Sequence, residues 1–139
     1  MSRKIARAVA FKIIYQLEFQ KNDYEFIYQK MIEEENVTSE AIIEYIDKVT
    51  KGVIEHNDII SGKIEESLKQ GWELSRISKI NIAILKIAIF ELLYLKGEIP
   101  VKVAINEALE LVNTYGEPAD KSFDNGILAK ILKENSEEV

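Results

Sequence analysis

The sequence contains no cysteine. It therefore holds neither a disulfide framework nor a thiolate metal site. Its single histidine, His56, cannot by itself form a histidine-based catalytic or metal constellation, and its place at a helical junction reads as helix-terminal. No Gly-rich phosphate loop is present, and no serine or threonine stands near a histidine in a nucleophile pattern. Glu107 and Glu110 are spaced i, i+3, but the Glu-x-x-His partners that build metal sites in helical bundles are missing. A protein that is not an enzyme, with no cofactor and no metal, is the expectation. The amino terminus carries charge but no apolar stretch ending in a cleavage site. No apolar run reaches the roughly 20 residues of a membrane helix. A cytoplasmic location without a membrane partner is expected. Internal repeats, low-complexity tracts and interdomain linkers are also missing, so the 139 residues read as one domain, 1–139.

What the chain does have is an apolar stretch from Ile80 to Leu95, interrupted only by Lys86 and Glu91. A helix that is apolar all round must be buried all round. Its length and the lack of period-2 alternation favour helix over strand. Gly97 supplies a stop, and Pro100 suits the first turn of a new helix. Val101, Ala104, Ile105, Ala108, Val112 and Tyr115 then recur at helical spacing. The resulting hairpin is the element on which the rest must pack.

On either side, apolar stripes mark further helices: Ile5 to Leu17, Tyr24 to Met31, Ile42 to Val53, Ile60 to Leu68, and Phe123 to Ile131. Thr38 or Ser39 caps the third of these. Glu117 to Lys121, with Pro118, reads as a loop. Gly126 inside the last helix reads as a point of close helix approach, and the tail from Glu134 as fraying. Trp72 is expected to plug the join between two halves, with a base-stacking surface as the alternative. The fold class is all-α, a bundle of about seven helices in two packed sub-bundles split near Trp72.

Charge is distributed unevenly along the chain. The net charge is −6, yet Arg3, Lys4, Arg7 and Lys12 all precede the first acid, Glu18. From Asp23 to Asp47 there are eight carboxylates against one lysine. Cations in the first turns of a helix oppose its macrodipole, so helix stability does not explain them. They read either as a solvated surface or as phosphate contacts. Glu91 is the second anomaly, because an isolated carboxylate in an apolar helix is costly. Lys86 lies five residues away, about 140° round the helix, and does not face it. Glu91 must reach another helix, solvent or a partner.

The stretch Ile99-Pro100-Val101-Lys102-Val103-Ala104-Ile105-Asn106-Glu107-Ala108 is close to a Pro-x-Lys-Val-Ala-Ile-Asn-Glu-Ala motif. With Ile84 to Leu92, Gly71-Trp72, Arg3 to Arg7, Tyr15 and Phe123-x-Asn125-Gly126-x-Leu128, the sequence resembles the NusB family of bacterial transcription antitermination factors over nearly its whole length. The resemblance implies an all-helical RNA-binding protein. It would recognise boxA-type single-stranded RNA together with NusE, a ribosomal protein of the small subunit, and would help to modify elongating RNA polymerase. By position, RNA contact would fall to Arg3, Lys4 and Arg7. The NusE surface would include Tyr15, Glu91, Asp120 and Phe123. Asp124 departs from the family, which usually carries an apolar residue there. An alternative is a stand-alone RNA-binding module like the amino-terminal domain of rRNA cytosine methyltransferases. A helical adaptor without RNA binding is a third reading, for which the basic arm would have no use.

Overall fold

The computed structural model describes residues 2–137, with side chains described for residues 4–134. Among them are seven α helices: α1 (Ser2–Leu17), α2 (Tyr24–Glu34), α3 (Glu40–Glu55), α4 (Asn57–Ser67), α5 (Lys79–Tyr94), α6 (Val101–Tyr115) and α7 (Pro118–Glu137), with one 3-10 turn at Leu74–Arg76. None is long and apolar enough to cross a membrane, among the described residues.

Helix α5 is the axis of the molecule. Every residue from Asn81 to Leu92 is buried, and α1, α3, α4, α6 and α7 all pack against it. The all-round apolar sequence of this helix is thus matched by an all-round protein environment. Ser78 starts α5, its hydroxyl accepting the Asn81 N–H at 3.2 Å, and Ser39 caps α3 in the same way toward Ile42.

Helices α1, α2 and α3 form the amino-terminal group, and α5, α6 and α7 the carboxyl-terminal one. Helix α4 packs on α5 and α7, so it belongs with the second group. The seam between sub-bundles therefore falls at the His56–Asn57 junction, where α3 hands over to α4, rather than near Trp72. His56 is a helix-terminal residue as expected, and its ring stacks on Tyr94 with centroids 4.0 Å apart.

Three further expectations are corrected. Helix α7 begins at Pro118, because proline is well suited to a first helical turn; the expected loop through Lys121 is helical. Gly126 is not a close approach, since a Cβ placed there meets nothing within 4 Å. The close approach is at Gly52, where a Cβ would lie 2.2 Å from the Phe90 ring, so the bare backbone of α3 is what admits that ring. Ile5, assigned to the inward stripe of α1, is 55% exposed. Helix α7 continues to Glu137, and fraying of the final residues and of their side chains lies outside what is described.

Candidate nucleic-acid and partner interface

The basic residues of α1 divide by helical position. Lys4 is exposed at the start of the helix and makes no ion pair among the described residues. The side chain of Arg3 lies outside the described residues. Lys12 is half-buried and bonds Glu35 at 3.0 Å. Partial burial works against its charge, but the bond to Glu35 and the nearby Tyr115 more than offset this and raise its pKa.

Arg7 faces inward and is only 3% exposed. Its Nε donates to Glu91 Oε1 at 3.2 Å and to Oε2 at 3.1 Å. The Tyr45 hydroxyl donates to the same carboxylate. The guanidinium also lies over the Tyr45 ring, 5.7 Å from its centroid, and its Nη1 lies 4.0 Å from Glu107. One buried cation therefore ties α1 to α3, α5 and α6. Burying an arginine is tolerable only when its charge is met in this way.

This arrangement corrects the placement of two residues. Glu91 is 1% exposed and does not reach the surface, because Arg7 and Tyr45 meet it inside. Arg7 is turned away from solvent for the same reason and does not stand beside Lys4 as an open phosphate contact. Lys86, also on α5, points elsewhere: its Nζ donates to Glu18 Oε2 at 2.6 Å. Lys86 and Glu91 thus leave the helix on different sides, one toward Glu18 just past α1 and the other toward Arg7.

Tyr15 lies in an aromatic ridge along α1. Its ring is 5.9 Å from Phe11 in a stacked arrangement and 5.2 Å from Phe19 edge to face. Phe11 in turn meets Tyr115, at the end of α6, at 4.8 Å. Phe19 is 61% exposed, so the ridge opens to solvent at that end. Just beyond Tyr115, Asp120 is half-buried in the first turn of α7, where its Oδ2 accepts the Glu117 N–H at 2.9 Å. Phe123 is half-buried on the next turn and packs on the core. Tyr15, Asp120 and Phe123 therefore remain accessible in part, on α1 and α7, while Glu91 is buried.

Two features were missed by reading the sequence. Trp72, expected in the core, is 55% exposed. It borders a cleft with Phe123, Gly126, Ile127 and Lys130 of α7. Asp124 is fully buried, and neither carboxylate oxygen has a hydrogen-bond partner within the described chain. Burial, with the nearby charge of Asp120, pushes its pKa up to about 8. Its replacement of an apolar residue was the sequence signal for this site.

No group of three or more His, Asp or Glu side chains suited to a metal occurs among the described residues. The exposed features are Lys4 at the start of α1, the aromatic ridge and the open cleft beside Trp72.

Comparison with known proteins is consistent with that geometry. The family model described as the NusB family matches residues 4–133. A protein of Acetivibrio thermocellus named transcription antitermination protein NusB is 45% identical over 133 residues, covering 96% of this chain and 90% of that one. A protein of the same name from Clostridium acetobutylicum is 39% identical, with 99% of each chain covered. Among solved structures, T. maritima NusB aligns with a TM-score of 0.86 at 33% identity, over 95% of this chain and 91% of that one. A structure of antitermination factors NusB and NusE in complex with dsRNA aligns with a TM-score of 0.88 at 25% identity, over 96% and 97% of the two chains. By sequence match over nearly its full length and by fold, this chain belongs to the NusB family.

Proposed function

We propose that the chain is a transcription antitermination factor that binds boxA-type single-stranded RNA through the start of α1, pairs with the ribosomal protein NusE, and with it acts on elongating RNA polymerase. As a member of its family it is not an enzyme. The observation that carries the RNA reading is the contrast between Lys4 and Arg7. Lys4 is exposed at the head of α1 on a chain of net charge −6, while Arg7, one turn on, is locked to Glu91. The buried pair holds the helix start against the body and leaves the cations before it to meet phosphate. In this reading Arg7 and Glu91 position the arm, Arg3 and Lys4 touch RNA, and Tyr15, Asp120 and Phe123 belong to the NusE surface. A related NusB has been solved together with NusE and dsRNA, which supports pairing with NusE and contact with RNA here.

The test is a titration of boxA-type RNA against the chain and its Arg3→Ala/Lys4→Ala variant across a salt series. Each phosphate contact to a single strand contributes about 0.7 to the log–log salt slope, so removing two cations should flatten it by about 1.4. An unchanged affinity and slope would remove the arm from the RNA site.

A further inference from the structure

Trp72 is an exposed large ring, and its surroundings give the exposure a direction. Gly71 adopts φ +92, and the Trp72 N–H closes a turn onto the Lys69 carbonyl at 3.0 Å. The backbone under the indole is thereby fixed, with glycine at the position that needs positive φ. Opposite stand residues of α7 spaced at 123, 126, 127 and 130, which share one helical face. Together they enclose a cleft of about 490 Å³.

The chemistry of this cleft is distinctive in two ways. Its charged lining residues are Lys69 and Lys130, with no carboxylate, on a protein of net charge −6. Its wall on α7 includes Gly126, an interior helical glycine for which packing gives no reason, since nothing lies within 4 Å of a Cβ there. Glycine weakens a helix interior relative to alanine, and here its effect is to keep the cleft open.

We propose that this cleft is a second contact for single-stranded RNA, in which a base stacks on Trp72 and the adjoining phosphates pair with Lys69 and Lys130. The inference rests on the RNA-binding reading above and extends it from the arm of α1 to the groove between α4 and α7. Aromatic faces flanked by cations bind single strands with little regard for sequence, because every base presents a π-face and every linkage a phosphate. Phe123 borders the cleft and also belongs to the proposed NusE surface, so the strand would run along the edge of that partner.

Trp72 is the only tryptophan, so its emission reports this site alone. The experiment titrates the full chain with a labelled single-stranded oligoadenylate, following the label's anisotropy and Trp72 emission together, and repeats it with Gly126→Leu and with Lys69→Ala/Lys130→Ala. Quenching should track anisotropy. Gly126→Leu, which fills the cleft, should weaken binding by about 5- to 150-fold, the range for loss of one stacked base, with an unlowered melting temperature. The double lysine variant should flatten the salt slope by about 1.4. RNA binding with unchanged Trp72 emission and an unaffected Gly126→Leu variant would reject the cleft and leave the arm as the RNA site. Quenching of equal strength by an oligoglutamate peptide would reassign the cleft to an acidic protein partner and overturn the proposal. No anisotropy change at low salt would overturn this inference, while the boxA titration above decides the RNA reading on which it rests.

Discussion

Arg7 Nε lies 3.1 Å from Glu91 Oε2, joining side chains 84 residues apart in sequence that are 4% and 1% exposed. This pair explains how a carboxylate survives in the least polar helix of the chain. It also explains why an arginine in the basic arm differs in role from its neighbours. Arg7 Nη2 has no hydrogen-bond partner within the described chain, so the charge is balanced but the donor set is not filled.

Substitution of either partner should be costly. Arg7→Ala leaves the Glu91 carboxylate buried without its cation, a loss on the scale of about 3–5 kcal/mol for a broken buried pair. Glu91→Gln should also lower stability, because it strands the guanidinium. Joint replacement by Arg7→Met and Glu91→Leu should recover much of the loss. Urea unfolding of the single and double variants is the check. Single variants that melt like the parent would show that the pair does not hold α1.

Asp124 predicts an unusual dependence on pH. In the unfolded chain its pKa is near 3.8, and in the folded chain burial raises it to about 8. Below the lower value both states are protonated and no penalty exists. Between the two values only the unfolded chain releases the proton, so this residue lowers stability as pH rises, by at most about 1.4 kcal/mol per pH unit. Above the upper value the penalty is constant. Asp124→Val should therefore raise the melting temperature little at pH 4 and increasingly toward pH 8. A stabilisation that does not change with pH would show that Asp124 is solvated or paired.

Gly52→Ala should destabilise the seat of Phe90. The added methyl falls 2.2 Å from a ring that is 5% exposed, so the ring must move. Overpacking of this kind costs about 1–3 kcal/mol. Thermal melts measure it, and Phe90→Leu combined with Gly52→Ala should soften the effect by removing the clashing ring atoms.

How much of this was legible in the sequence depends on the range of each interaction. The burial of α5 was readable because its apolar character is local and continuous, and so was the divergence of Lys86 and Glu91, which follows from helical angle alone. The partner of Glu91 was not, since Arg7 belongs to a different helix and looks in sequence like one more basic residue of the arm. Trp72 was misplaced for a related reason. Its exposure depends on how near α7 comes, and a single tryptophan after a glycine carries no record of that. Gly126 and Gly52 look alike in sequence, each a glycine within a helix, yet one lies open and the other faces a ring. The start of α7 was missed because proline punctuates loops and helix starts equally well.

The aromatic ridge should matter to partner binding more than to folding. Tyr15→Ala and Phe123→Ala each remove a half-buried ring from the proposed NusE surface, and aromatic anchors at interfaces are commonly worth about 2 kcal/mol or more. Calorimetric titration with NusE should show that loss. Asp120→Asn retains an oxygen to accept the Glu117 N–H and should keep the start of α7 intact, so a fall in its NusE affinity would come from charge.

Joint recognition of RNA and NusE is decided by the affinity for boxA-type RNA with and without saturating NusE, at one salt concentration. Binding by the chain alone should be weak, and binding with NusE present at least about tenfold tighter, a coupling of about 1.4 kcal/mol. The same coupling should appear when NusE is titrated into the RNA-bound chain. RNA affinity indifferent to NusE, or NusE that does not bind at all, would contradict it.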